Sequence, residues 1–146
     1  MTRELPTPLL MFIAHRAAEG SIFTALRDAG FTDVTQAQGR LLAGIDPTGT
    51  RLTVLADRAG IAKQTATALV DKLEAAGYVQ RVPDPGDGRA RLVRLTGRAE
   101  AMIPVARAEE QRIEGEWAAH LGPRRMRQLR EALTQLREIT DPYVGQ

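Results

Sequence analysis

The chain has 146 residues, 43% hydrophobic and 26% charged, with Lys+Arg 20 against Asp+Glu 18 and a formal net charge of +2. That length bounds one compact domain, and the mixed charge excludes wholesale disorder or a fibrous repeat. With no cysteine, a disulfide scaffold, a thiolate metal site, a cysteine nucleophile and thiol-based sensing are all excluded.

The prolines Pro6 and Pro8 precede Leu9, Phe12, Ile13, Ile22, Phe23 and Leu26, an apolar pattern at helical spacing that Gly30 stops. Thr35 followed by Gln38 is a capping-box signature, and Leu41, Leu42 and Ile45 then give a short second helix ending at Asp46-Pro47. After a Pro/Gly turn, Leu52, Leu55, Ala56 and Ala59 predict a third short helix with Thr53 as its cap and Gly60 as its stop. A fourth helix carries Ala66, Leu69, Val70 and Leu73 on one face from Lys63 to Gly77. The period then changes to two. Residues 78–82 and 91–95 alternate as half-buried strands around a tip at Pro83 to Gly88. Thr96 caps a further helical region with Met102, Ile103, Ala106, Ile113 and Trp117 on a stripe, bent at Pro104. Gly122-Pro123 resets the chain before a last helix whose seam is Met126, Leu129, Leu133, Leu136 and Ile139, surrounded by arginines.

Charge is uneven along the chain. Residues 51 to 98 hold nine basic groups against five acidic ones, whereas the segments on either side are each slightly acidic. A phosphate-facing surface therefore belongs in the middle. Helix, Gly turn, helix and basic hairpin is the order of a winged helix-turn-helix, whose second helix enters the major groove. Lys63, Gln64, Thr65 and Thr67, with Ala68, occupy the polar side of that helix. Gln reads adenine bidentately and Lys reaches guanine or phosphate. Arg89 and Arg91 leave the hairpin tip, and a guanidinium there suits the negative potential of a narrow minor groove. Pairing of Arg89 with Asp87 or Asp84 on a solvated turn is the competing assignment. For Arg81 and Arg94 structural pairing is preferred.

The stretch LTVLADRAGIAKQTATALVDKLEAAGYVQRVPDPGDGRARLVRLT, from Leu52 to Thr96, resembles the MarR family of bacterial transcriptional regulators. Asp84 to Thr96 is similar to the family's wing motif of Asp, one residue, Arg and a strand ending Leu-Thr. Leu69 to Val79 is similar to the end of its recognition helix. The resemblance implies a mainly α fold with a small β-hairpin wing. Residues 1–34 and 97–146 would supply dimerisation helices around a DNA-binding region at 35–96, in a single intertwined domain. It also implies a homodimer reading palindromic double-stranded DNA, a repressor released by a small aromatic or phenolic effector, Arg89 in the minor groove and Asp87 supporting the wing. The effector pocket it implies lies near His15 and Arg16. Independently of the resemblance, the seam of the last helix is more apolar than a short terminal helix needs, which also points to a dimer.

An enzyme is disfavoured: there is no Gly-rich phosphate loop, no His pair at metal spacing and no triad, so no cofactor and no metal are expected. The alternative function is a sequence-tolerant architectural DNA binder or a helical protein-interaction module. The apolar run Leu9 to Ala14 is too short to span a bilayer and no secretory signal precedes it, so the expected compartment is the cytoplasm, with no membrane insertion.

Overall fold

The computed structural model describes residues 3–145. In chain order it contains α1 (Thr7–Asp28), α2 (Gln36–Ala43), α3 (Leu52–Ala59), α4 (Lys63–Ala75), β1 (Val79–Asp84), β2 (Asp87–Leu95), α5 (Gly97–Glu100), α6 (Ile103–Leu121) and α7 (Pro123–Thr140). The chain divides into two compact units, at Arg107/Ala108 within α6.

In the first unit, local chemistry sets each boundary. The capping box at α2 is complete: the Thr35 hydroxyl accepts from the Gln38 amide at 3.2 Å, and the Thr35 amide donates to Gln38 Oε1 at 2.9 Å. Gly60 takes φ +67° and ends α3, and Gly77 takes φ +82° just past α4. Thr53 is not the cap of α3. Arg51 occupies that position without a side-chain bond, while the preceding Thr50 hydroxyl accepts from the Asp46 amide at 2.8 Å and closes the turn instead. The core joins Leu26 of α1, Leu41 and Leu42 of α2, Leu55 of α3, Ala66, Val70 and Leu73 of α4, then Tyr78, Val79 and Val93 of the hairpin.

β1 and β2 pair antiparallel with Val79 opposite Leu95 and Pro83 opposite Arg91. The register shifts between Pro83 and Asp84, so the strands run further toward the tip than alternation predicts and only Pro85-Gly86 lie between them. Thr50 adds a single antiparallel bridge to Val93, with N–H to O distances of 2.9 and 2.8 Å, giving the hairpin a minimal third strand. Pro104 does not bend a long helix. It falls in the first turn of α6, after α5 and a short turn, where a missing N–H costs no helical bond.

By length and composition α1 is large enough to cross a membrane, with mean hydropathy 1.2 over its apolar window. Its second half is nevertheless tied to the helical core of the first unit: Leu26 is buried there, and Glu19 pairs with Arg40 of α2 at 2.7 Å. That guanidinium holds the Glu19 carboxyl below its ordinary range, its hydrogen bond outweighing the effect of partial burial. The first half of α1 leaves Leu9, Leu10, Met11, Phe12 and Ile13 exposed.

The second unit contains the remainder of α6 and α7. Gly122 takes φ +90° and Pro123 opens α7. Ion pairs link Arg130 to Glu114, and Arg112 to Glu109 and Glu116. Along α7, Leu129, Leu133, Leu136 and Ile139 form an exposed apolar stripe.

Candidate nucleic-acid interface

α3 and α4 are joined by Gly60, Ile61 and Ala62, and α4 starts at Lys63 without a side-chain cap or an acidic residue in its first turn. Its N-terminal amides and Lys63 therefore form a positive end open to an anion. Ala66, Val70 and Leu73 face the core, so helical geometry turns Gln64, Thr65 and Ala68 to solvent, and all three are exposed. Thr67 is half-buried and its hydroxyl donates to the Lys63 carbonyl at 2.9 Å, leaving only its lone pairs for an outside donor. The Ala68 methyl is a surface that suits the methyl group of thymine.

Arg81 controls the acidic end of this helix. Its guanidinium meets Asp71 at 2.7 Å and Glu74 at 2.8 Å, which confirms its structural pairing and offsets two carboxylates that would otherwise repel a polyanion. The wing is anchored similarly. Arg51, directly before α3, reaches Asp84 at 2.8 Å and Asp87 at 3.9 Å. Its hydrogen bond, helped by the Gly86 amide, holds the Asp84 carboxyl below the ordinary range. Arg58 of α3 similarly bonds the Gly44 carbonyl at 2.7 Å and Asp46 at 3.1 Å.

Neither Asp84 nor Asp87 takes the Arg89 guanidinium. Asp87 accepts only the Arg89 backbone amide, at 3.1 Å, so it shapes the turn while the side chain stays outside it. Among the described residues no carboxylate pairs with Arg89, Arg91, Arg94 or Lys63. Strand alternation places Arg89 and Arg91 on the face that continues from Val93, with Arg94 on the opposite face.

His15 and Arg16 are both exposed on α1. His15 lies 3.5 Å from Glu19, whereas Arg16 lies over the Phe12 ring at 5.5 Å, so Glu19 is bridged by Arg40 and not by Arg16. The residues that sequence reasoning missed are the anchors Arg51 and Arg58. Their partners lie 33 and 12 residues away, and only the Pro/Gly turn between α2 and α3 hinted that such closures were needed.

Residues 32–90 match the family model described as the MarR family. That segment contains α2, α3, α4, β1 and the start of β2, the elements whose geometry forms the surface just described. The winged segment of this chain is thus similar to the MarR family. A relative, the uncharacterized HTH-type transcriptional regulator YcgE of Bacillus subtilis, is 34% identical over 87 residues, covering 60% of this chain and 49% of its own. The match thus spans about half the length of that relative. Among solved structures, MarR from E. coli in its apo form is similar with TM-score 0.72 and 22% identity, covering 92% of this chain and 98% of that one. NadR in complex with 4-hydroxyphenylacetate is similar with TM-score 0.72 and 22% identity, covering 95% and 97%. These likenesses show a MarR-type fold well beyond the matched segment: mostly helical, with one antiparallel hairpin.

Proposed function

We propose that this protein is a cytoplasmic DNA-binding transcriptional regulator that reads an inverted repeat as a homodimer and represses until a small aromatic or phenolic effector releases it. One observation carries the reading. On a MarR-type winged core, Arg51, Arg58 and Arg81 are bound to carboxylates, whereas Lys63, Arg89 and Arg91, on the helix start and the wing, have no such partner. α4 then enters the major groove with Lys63, Gln64, Thr65, Thr67 and Ala68, and the wing places Arg89 in the adjacent minor groove with Arg91 near the phosphates. Asp87 supports the wing turn through its bond to the Arg89 amide.

The homodimer is supported by the runs of large apolar residues exposed on α1 and, separately, along α7, since contiguous exposed apolar patches mark interaction surfaces. A two-fold dimer spaces its half-sites by roughly 34 Å, about one turn of DNA. The effector proposal is supported by NadR, whose solved complex holds a phenolic carboxylate, 4-hydroxyphenylacetate. Exposed His15 and Arg16 are the candidates to meet such a ligand, Arg16 as the cation.

The test is selection of duplexes from a random-sequence pool, followed by fluorescence anisotropy of the enriched and a scrambled duplex across a salt series. The expected result is an inverted repeat bound by two subunits far more tightly than its scramble. Equal binding with equal salt slopes would show a sequence-tolerant architectural protein, and no binding at low salt a protein-interaction module. Adding 4-hydroxyphenylacetate to the complex then tests release.

A further inference from the structure

The apolar residues that seat α4, namely Ala66, Val70 and Leu73, set its distance from the core, but apolar packing is non-directional and leaves its tilt weakly specified. Directional bonds gather at its C-terminal end. There the Ala76 carbonyl accepts from Arg98, and the Gly77 carbonyl accepts from the Thr96 hydroxyl at 2.6 Å. Tyr78 follows, with its ring 1% exposed, its amide donating to the Leu73 carbonyl at 2.9 Å and its own carbonyl accepting from the Thr96 amide at 3.0 Å. The Arg98 guanidinium lies 4.2 Å from the centroid of that ring. Both groups then converge on one carboxylate in the loop between α1 and α2: Asp33 Oδ1 accepts from the Tyr78 hydroxyl, and Oδ2 meets Arg98 at 2.7 Å. Three segments that are distant in sequence are thus closed on a single side chain.

We propose that Asp33, Tyr78 and Arg98 form a positioning clasp that fixes the tilt of α4, so that opening it weakens specific DNA binding although none of the three meets DNA. The inference rests on the DNA-binding reading above. The clasp is not primarily a stability device. Asp33 and Arg98 are each about half exposed, at 47% and 48%, and such ion pairs contribute little to folding. Their contribution is angular: hydrogen bonds lose strength steeply off axis, and the ring holds the guanidinium in one plane.

The decisive variant is Asp33→Ala, measured by anisotropy on the duplex enriched by the wild type and on its scramble. Removing an acid from a DNA-binding protein strengthens binding to both duplexes if charge alone matters. The clasp requires the opposite: a loss of roughly two- to thirty-fold on the enriched duplex, the scale of residues that act on a site without touching it, and no loss on the scramble. Arg98→Ala gives the same loss with an unchanged salt slope. Unchanged or tighter binding of Asp33→Ala to the enriched duplex overturns the inference. So does a salt slope in Arg98→Ala reduced by about one phosphate contact, which makes Arg98 a direct contact. Should Asp33→Ala lose helicity, Asp33→Asn, which retains an acceptor for the Tyr78 hydroxyl and lacks only the ion pair, is expected to show the smaller end of the same loss, and wild-type affinity there overturns the clasp. If the wild type enriches no duplex, the DNA reading fails first. Amide hydrogen exchange then judges the clasp: faster exchange across α4 in Asp33→Ala supports it and unchanged exchange overturns it.

Discussion

The base of the wing and its tip carry the same residue type in opposite situations. At the base, Arg81 is shared between Asp71 and Glu74 of α4, and Val79 and Val93 of the two strands are buried. At the tip, Arg89 and Arg91 extend from a two-residue turn with no carboxylate partner among the described residues. A guanidinium held in two ion pairs has little capacity left for phosphate, whereas an unpaired one keeps its full fork of donors for a groove. Net charge conceals this difference, because a paired and an unpaired arginine count alike.

The largest test of the contrast is Arg89→Ala. It is expected to lower affinity for the enriched duplex by about 1–3 kcal/mol, roughly five- to 150-fold, and to reduce the salt slope by about one. An unchanged slope would place Arg89 outside the groove. Next comes Gln64→Ala on the polar face of α4, expected to cost about 1–3 kcal/mol at a single base position and little elsewhere. Selection with the variant checks this, since relaxation must be confined to one position of each half-site. Arg81→Ala, at the base, is expected to leave the salt slope alone and to lower unfolding stability by up to about 1 kcal/mol in denaturant titration. A slope change there would erase the distinction between base and tip.

The smallest expected effect is on acid stability. The Tyr78 hydroxyl, followed by Arg98, holds the Asp33 carboxyl below its ordinary value of 3.8. A carboxylate with a depressed folded value stabilises fully above its ordinary value, and that contribution disappears as pH falls through the lowered one. Thermal midpoints of the wild type should therefore fall below about pH 4. The Asp33→Asn variant should show a shallower fall over the same window, and an identical profile would mean that Asp33 is not coupled to folding.

How much of this was legible in sequence depended on the range of each interaction. The Thr35 and Gln38 capping box, the Gly60 and Gly77 stops and the buried face of α4 are encoded within a few residues and were readable. The expectation that Thr53 caps α3 failed because the Thr50 hydroxyl already closes the turn from Asp46, which moves the helix start to Leu52. Pro104 was read as a bend because a four-residue helix before it leaves almost no periodic trace. The polar residues of α4 and the wing arginines could be singled out by type and position. Arg51, Arg98 and Asp33 could not, since their pairings span 33 and 65 residues and exist only once the fold has brought them together.

The bridge from Thr50 to Val93 also makes tolerance to change unequal along the hairpin. Beside it Gly49 sits at φ +101°, where an added Cβ would come 3.0 Å from the Leu92 side chain and 3.3 Å from the Val93 carbonyl, so lengthening or substitution at this seam meets both backbone strain and collision. At Pro85-Gly86, the nearest neighbour of an added Gly86 Cβ is an Asp84 oxygen at 3.5 Å. A residue or a reporter dye inserted by design is thus accommodated better at Pro85-Gly86 than at Gly49, and the hairpin's reach can change there as long as Asp84 and Asp87 keep their hold on Arg51 ahead of α3.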